Sequence, residues 1–359
     1  MNNQNDYNDN KKVTYHEQTD ISNILKLREV LKTLPPFCRD YFRAMDPVTT
    51  TNTRISYAYD IRIFFQFLLD ENPAFKNYSL KDFTVDVLDQ LKAVDIEEYL
   101  EYLKVYKNGD KTETNGERGM KRKLSALRSF YAYYFKHEFI KTNPTVLVDV
   151  PKIHDKSIIR LDSDEVALLL DHIEHCGDEL TGQKRAYYEK TKERDLAIVT
   201  LLLGTGIRVS ECVGLDVEDI DFKNNGIKIT RKGGNEMVVY FGPEVERALR
   251  QYLEVREGVT PVTGHEHALF YSTQRKRIGI QAVENLVKKY ARAITTTKKI
   301  TPHKLRSTYG TALYQETGDI YLVADVLGHR DVNTTKKHYA AMDDARRRKA
   351  ASAVHLRED

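Results

Sequence analysis

Apolar residues repeat at helical spacing along most of this chain and alternate clearly in one segment. From Ile21 to Asn143, and again from Pro243 onward, the hydrophobic positions recur every three to four residues, which predicts amphipathic helices. In GIKITRKGGNEMVVYFG, apolar and polar residues alternate on both sides of KGGN, which is a turn signal. The chain is therefore predicted to be mainly α-helical, with a small antiparallel β-hairpin in its second half.

Helix boundaries are readable in the first half. The segment TRISYAYDIRIFFQFLLDENP predicts a helix that ends at Asn72-Pro73, and TVDVLDQLKAVDIEEYLEYLKVY predicts two short helices. The polar stretch KNGDKTETNGERG predicts a loop, because it is rich in Gly, Asn and Thr. MKRKLSALRSFYAYYFKHEFI then predicts a strong amphipathic helix.

The length favours two domains, since 359 residues exceed what one hydrophobic core usually holds. KTNPTVLVDVPKIHDKSIIRLDSDEV has two prolines and no helical period, so it predicts a linker before a helix capped by Asp162 or Ser163, with Glu165 in its first turn. The predicted divisions are a flexible tail (1–20), a helical domain (21–145), a linker (146–160) and a second domain (161–359).

Composition excludes several classes of protein. A formal net charge of +3 with 30% charged residues means that any nucleic-acid-binding surface must be local. No apolar run reaches membrane-spanning length, and the first twenty residues lack the apolar core of a signal peptide. Cys38, Cys176 and Cys212 lie far apart and outside metal-ligand spacing, so a disulfide framework is not expected. We expect a cytoplasmic protein with no membrane span.

One helical segment is strongly basic. No Asp or Glu occurs from Arg118 to His137, which suits a helix along a DNA backbone or in a major groove. A solvated helix face that lacks acids is the other interpretation. Arg54 lies on a weaker second basic surface that ordinary surface charge also explains. The residues predicted to bind DNA are Arg54, Lys121, Arg122, Lys123 and Arg128.

Cationic residues also punctuate the second half. In LLLGTGIRVSECVGLD, Gly204 and Gly206 are predicted to break a helix, and Arg208 begins the next one with Glu211 as a partner. Lys232 lies at the tip of the predicted hairpin. Each of these features also has a structural explanation, a helix salt bridge for the first and a solvated lysine for the second.

Two further segments carry histidines. In TPHKLRSTYGTAL, His303 and Arg306 lie one helical turn apart near a helix start, which makes a plausible anion site or simply an exposed basic terminus. In LGHRDVNTTKKHYA, a helix is predicted to stop at Gly328, directly before His329. Asn333-Thr334 can cap a short helix that carries Tyr339. On its own, this last stretch favours a packing role.

In this order and spacing, the segments GTGIRVSE, RKGGN, HKLRSTYGT and LGHRDVNTTKKHYA resemble the tyrosine recombinase, or phage integrase, family. The likeness is closest to Xer-type enzymes that work as a single protein, which PFCRDYFRAMDPVTTTNTRISYAYDIRIFFQFL supports. A predicted long loop from about His175 to Arg194 also supports that subgroup, although many family members have a shorter one. The resemblance implies a SAM-like helical core-binding domain that clamps DNA, followed by a mainly α catalytic domain.

The resemblance implies a metal-free and cofactor-free cleavage of DNA by a tyrosine oxygen. Charge that builds on the phosphate oxygens would be stabilised by preorganised cations, and arginine suits this because its planar fork binds two oxygens. The implied assignments are Tyr339 as nucleophile, Arg208 and Arg306 on the scissile phosphate, His303 in proton transfer, His329 as a phosphate donor, Lys232 as the proton donor to the departing 5′-oxygen, and Glu211 as an orienting group behind them.

The resemblance also implies partners: a double-stranded DNA site, a homotetramer on two such sites joined by a tail from about residue 341, and an accessory regulator as a further candidate. The expected product is a 3′-phosphotyrosyl bond that leads through a Holliday junction, most simply for chromosome dimer resolution during cell division. An integrase or transposase-like recombinase of a mobile element is the main alternative. A type IB topoisomerase, a catalytically silent DNA-binding protein and a purely structural helical protein are the others.

Overall fold

The structure is a computed structural model that describes residues 14–152, 159–231, 234–329 and 331–332. The chain divides into two compact units with the boundary between residues 155 and 156. This boundary falls inside the segment predicted as a linker, and the exact domain limits stay predictions. Within the described residues, none of the helices has the length and apolar character to cross a bilayer.

The first unit is a helical bundle with one small hairpin. Its elements are α1 (Tyr15–Leu31), α2 (Cys38–Ala44), α3 (Thr51–Glu71), α4 (Val87–Gln90), α5 (Ala93–Tyr102), β1 (Val105–Asn108), β2 (Lys111–Thr114) and α6 (Glu117–Lys136). Helices α3 and α6 supply much of the aromatic core, where Phe65 and Phe130 are fully buried. The predicted end of α3 before Asn72-Pro73 and the two short helices α4 and α5 are confirmed.

Two predictions for this unit were wrong. The polar stretch read as a loop is the antiparallel pair β1–β2, in register from Val105 opposite Thr114 to Asn108 opposite Lys111. A two-residue turn closes it, and Gly109 there has a φ of +61°, which glycine adopts without strain. The predicted tail is too long, because α1 begins at Tyr15. Thr14 caps that helix: its amide donates to the Glu17 carboxylate at 2.8 Å.

The second unit is mainly helical and contains one three-stranded sheet. Its elements are α7 (Ser163–His175), α8 (Gly182–Thr205), α9 (Val209–Gly214), β3 (Ile220–Asp221), β4 (Gly226–Thr230), β5 (Glu236–Tyr240), α10 (Pro243–Glu257), α11 (Ile280–Ile294), α12 (Pro302–Thr317) and α13 (Ile320–Leu327). The antiparallel sheet has the order β3-β4-β5. The mainly α fold class with a small antiparallel sheet is thus confirmed, and so is the cap of α7 at Asp162.

The predicted hairpin is confirmed as β4 and β5, with Ile227 opposite Val239 and Ile229 opposite Met237. Both isoleucines are fully buried, so the alternation seen in the sequence marks the face of the sheet that packs on the core. Strand β3 was not predicted, since two residues are too short to show a period of two.

Two sequence expectations around α8 were wrong. The predicted loop from His175 to Arg194 is mostly helix, because α8 begins at Gly182. Its first half is too polar to show an apolar period, but Tyr188 is buried and its hydroxyl donates to the Ile173 carbonyl at 3.0 Å. Gly204 does not break the helix either. A Cβ there would lie 2.4 Å from Val245 Cγ2, so this glycine allows α8 and α10 to pack closely.

Candidate active site and nucleic-acid interface

Arg306 lies at the centre of the candidate active site. It follows the first turn of α12, a helix that begins at Pro302, and Arg306 is 5% exposed. One guanidinium nitrogen donates to the Gly206 carbonyl at 2.5 Å, and the other donates to the Leu327 carbonyl. Arg306 therefore joins the ends of α8 and α13. His303, one turn earlier on α12, is exposed.

Gly206 shapes the first of these contacts. It ends α8 in the left-handed region, with a φ of +63°. A Cβ at this position would also lie 2.3 Å from Tyr309 Cδ1, so a larger residue is excluded by both backbone conformation and space. The second glycine of the Gly-x-Gly turn is therefore the one that ends the helix, and its carbonyl faces Arg306.

Arg208 lies directly before α9 and is held by Glu211. One Glu211 oxygen accepts from the Arg208 amide and the other from Nη1, both at 2.7 Å. The Glu211 side chain is 4% exposed, whereas that of Arg208 is 36% exposed. The buried carboxylate thus fixes the base of a guanidinium that still reaches solvent. The second guanidinium nitrogen of Arg208 donates to the Gly328 carbonyl at 3.3 Å.

The end of α13 is where these groups meet. The helix stops at Gly328, as predicted, with a φ of +63° and a ψ of +47°. The four last carbonyls of a helix have no partner within it. Here the carbonyls of residues 325–327 and of Gly328, which follows the helix, all accept from arginines, namely Arg231, Arg306 and Arg208. The Asp325 carbonyl also accepts from the Gly328 amide at 2.8 Å. His329 follows at once and is half-buried.

This arrangement can bind an anion. A carbonyl carries no net charge, so a guanidinium bound to it keeps its positive charge. A phosphate oxygen accepts a shorter and stronger hydrogen bond from a guanidinium than a carbonyl does. The structure therefore brings Arg208, Arg306, Glu211 and the His329 backbone into one place, with His303 on the same helix as Arg306. Lys232 and Tyr339 lie outside the described residues, and their roles stay predictions.

In the first unit, two of the residues predicted to bind DNA are engaged with a buried acid. Arg122 forms a two-pronged ion pair with Asp60, in which Nη2 lies 2.8 Å from Oδ1. Lys123 is 6% exposed; its ammonium donates to Asn115 at 2.9 Å and lies 3.8 Å from Asp60. Burial lowers the pKa of the Lys123 ammonium. Their contact with DNA stays a prediction.

The other predicted DNA-binding residues differ in what they contact. Arg54 pairs with Asp46 and its side chain is 12% exposed. Arg128 donates to the carbonyls of Thr145, at 3.1 Å, and Val148. Lys121 is exposed on α6. These assignments also stay predictions.

Sequence reasoning missed two residues that organise the cations. Asp60 collects Arg122 and Lys123 across some sixty positions, and Arg231 binds α13 across more than ninety. Asp60 stands between apolar residues of α3, and a carboxylate on a core-facing side of a helix was the available signal. Arg231 lies in the RKGGN segment, but no local pattern shows what it contacts.

Comparisons with known proteins identify the same family that the sequence resembles. Residues 160–346 match the model described as the phage integrase family. The tyrosine recombinase XerS of Lactococcus lactis subsp. cremoris strain MG1363 is 32% identical over 88% of this chain and 93% of its own length. The tyrosine recombinase XerC of Caldanaerobacter subterraneus subsp. tengcongensis is 32% identical over 93% of this chain and 91% of its own length.

Solved structures share the fold. The XerH site-specific recombinase bound to a palindromic difH substrate in a post-cleavage complex has a TM-score of 0.60 at 23% identity, covering 84% of this chain and 79% of that one. The Tn1549 transposon integrase in complex with circular intermediate DNA has a TM-score of 0.60 at 22% identity, covering 84% of this chain and 94% of that one. At these identities the likeness establishes the fold alone.

Proposed function

Because the chain belongs to the phage integrase family and is an Xer-type tyrosine recombinase, we propose that it resolves chromosome dimers by site-specific recombination in the cytoplasm. The observation that carries the catalytic part of this proposal is the convergence of Arg208 and Arg306 on the helix end that precedes His329. Both guanidiniums are held in place by protein atoms before any DNA is bound, as preorganised charge stabilisation requires.

The proposed first step is an exchange at phosphorus. The Tyr339 phenol oxygen attacks the scissile phosphate, the bond to the 5′-oxygen breaks, and a 3′-phosphotyrosyl bond forms. Free tyrosine has a pKa near ~10, so it is a weak nucleophile at neutral pH unless its proton is removed. His303 takes up that proton, and His329 donates a hydrogen bond to the phosphate.

The departing 5′-oxygen receives a proton from Lys232, and the negative charge of the phosphate is held by Arg208 and Arg306. Each guanidinium offers two parallel donors to phosphate oxygens and stays charged at any physiological pH. Since one phosphodiester is exchanged for another, the 5′-hydroxyl of a second duplex can reverse the step without ATP. Two such rounds pass through a Holliday junction.

The proposed partners follow from this chemistry. Exchange between two duplexes needs four cleavages, and hence a homotetramer on two double-stranded DNA sites. The tail from about residue 341 would join neighbouring protomers in it. An accessory regulator that licenses cleavage is a further candidate partner.

The recombination role is tested by mapping covalent protein–DNA adducts across the genome of the source organism. Chromosome dimer resolution predicts one dominant chromosomal site. Adducts confined to the ends of a mobile element would contradict that role and support the integrase alternative. The Tn1549 transposon integrase has a similar fold. Relaxation of supercoils without any recombination would instead indicate a topoisomerase.

The nucleophile is tested on a nicked duplex cut from the mapped site, in which the strand that leaves cannot be religated. The protein should accumulate a covalent adduct, and Tyr339→Phe should accumulate none because it lacks the attacking oxygen. An adduct that persists in Tyr339→Phe sinks the assignment. Tyr321→Phe is a matched control, since Tyr321 is exposed on α13 and has no proposed part in the reaction.

A further inference from the structure

Arg231 ties the sheet to α13. It follows directly on β4, and its guanidinium donates to the Asp325 carbonyl at 3.2 Å and the Val326 carbonyl at 2.6 Å. These two carbonyls belong to the last turn of α13, where a positive charge is also favoured by the helix dipole. Arg306 and Arg208 bind the next two carbonyls. The three arginines together thus bind the four carbonyls of residues 325–328 at the end of α13.

Gly328 makes room for this contact. A Cβ at Gly328 would lie 1.8 Å from the Nη1 atom of Arg231 and 2.3 Å from its Cζ. The glycine is thus needed for its left-handed backbone and for the guanidinium that lies against it. In the LGH segment, Gly328 therefore leaves space for the Arg231 guanidinium directly before His329.

Arg231 is also the base of the hairpin turn. Its amide donates to the Asn235 carbonyl at 2.8 Å, and its carbonyl accepts from the Gly234 amide at 3.0 Å. These bonds close the turn on both sides, and the peptide bond joins Arg231 to Lys232. One residue therefore fixes the start of the turn by its backbone and the end of α13 by its side chain.

The anchor is not what stability alone would select. Burial lowers the pKa of Arg231, the Glu211 carboxylate offsets part of this effect, and the Arg208 charge lowers the pKa again. The Nε atom is buried with no hydrogen-bond acceptor among the residues that the structure describes. Burying an unsatisfied donor costs free energy.

We propose that Arg231 is a positioning residue for proton transfer to the leaving 5′-oxygen. It joins the described sides of the hairpin turn, through Gly234 and Asn235, to the helix end that precedes His329, and Lys232 is its neighbour in the sequence. The inference rests on the proposed function, in which Lys232 donates that proton. Arg231 itself touches no reacting atom in this scheme. Its loss would let the turn shift away from the phosphate while Arg208 and Arg306 remain.

The test uses two nicked duplexes of the mapped recombination site in single-turnover cleavage. One has the natural bridging oxygen, and the other has a 5′-bridging sulfur, which leaves as a thiolate without a proton. General acids contribute about 10²–10⁴-fold to a rate, so Arg231→Ala should lower cleavage of the oxygen substrate by about ten- to a hundredfold. With the sulfur substrate its rate should return to within about threefold of the unaltered protein.

Arg231→Lys keeps the charge but offers a single ammonium in place of a planar guanidinium. Its cleavage rate on the oxygen substrate should therefore lie between those of the unaltered protein and Arg231→Ala. It also keeps the test open if Arg231→Ala does not fold. An equal loss on both substrates, in whichever of these variants folds, overturns the inference. That result would mean that Arg231 acts on the phosphate or on stability, and not on proton transfer.

Arg256→Ala is the matched control. Arg256 also binds backbone carbonyls, with Nη2 2.8 Å from the Ala268 carbonyl, but it lies at the end of α10. It should lower thermal stability and leave the ratio of the two cleavage rates unchanged. Lys232→Ala is the reference. If the sulfur substrate does not restore cleavage by Lys232→Ala, Lys232 is not the proton donor, and the inference about Arg231 is wrong as well. If the sulfur substrate restores cleavage by Lys232→Ala but not by Arg231→Ala, only the inference about Arg231 is wrong.

Discussion

Two clusters of cations, one in each unit, hold their positive charge in different ways. In the second unit, Arg306 and Arg231 donate to backbone carbonyls at helix ends. In the first unit, Arg122 and Lys123 converge on the carboxylate of Asp60, which is 2% exposed. The same residue types are therefore bound to neutral acceptors in one place and to a buried anion in the other.

The difference decides which cations can do chemistry. A guanidinium on a carbonyl keeps its charge, and its remaining N–H groups can bind phosphate oxygens, which are stronger acceptors. Arg208 also holds the buried Glu211 carboxylate, but its side chain is 36% exposed and its other guanidinium nitrogen donates to a carbonyl. Lys123 is buried beside Asp60, and separating that pair leaves an unpaired charge in a low-dielectric interior. We therefore expect changes at Arg306 and Arg231 to alter rates and changes in the Asp60 cluster to alter stability.

The largest effect is expected for Arg306→Ala. Single-turnover cleavage of the nicked duplex should fall by about 10²–10³-fold, because a donor aimed at the phosphate is lost. The free energy of unfolding should also fall, by about 1–3 kcal/mol for each of the two buried carbonyls that lose a donor. Arg306→Lys should recover part of the rate. If Arg306→Ala cleaved at the normal rate, the distinction between the arginines at the end of α13 and the cations at Asp60 would be wrong.

The next effect is expected for Asp60→Asn. Urea unfolding should show a loss of about 3 kcal/mol, because Lys123 stays buried without its counter-charge. The cleavage rate per folded molecule should change little. Adding Lys123→Met should restore stability, since the uncompensated charge is then removed. Asp46→Asn is the matched control; that carboxylate is 63% exposed, so its pair with Arg54 should contribute less than about 1 kcal/mol.

The smallest effect is expected for Lys121→Ala. This exposed lysine of α6 is proposed to contact a DNA phosphate, so its loss should weaken binding by about two- to fivefold at moderate salt. The slope of log affinity against log salt should become shallower by about one. Lys76→Ala, an exposed lysine outside the basic helix, controls for net charge. Equal slopes for both variants would remove α6 from the interface.

Much of the fold follows from local patterns. The helices α3 and α6, the hairpin β4–β5, the cap at Asp162 and the stop at Gly328 are each signalled within a few residues. The first half of α8 is different, because it is polar and is held by the buried Tyr188. The β1–β2 hairpin is also polar on most positions, so alternation could not reveal it.

The sequence alone determined the residue types of the candidate site, their order and the helix ends that carry them. Only the tertiary structure decided which acceptor each cation meets. Arg208 reaches Gly328 across 120 positions, and Arg122 reaches Asp60 across 62. Capping and periodicity depend on neighbours in the chain and are therefore visible in the sequence. The partner of a charge depends on burial and on contacts between distant segments, which exist only once the chain has folded.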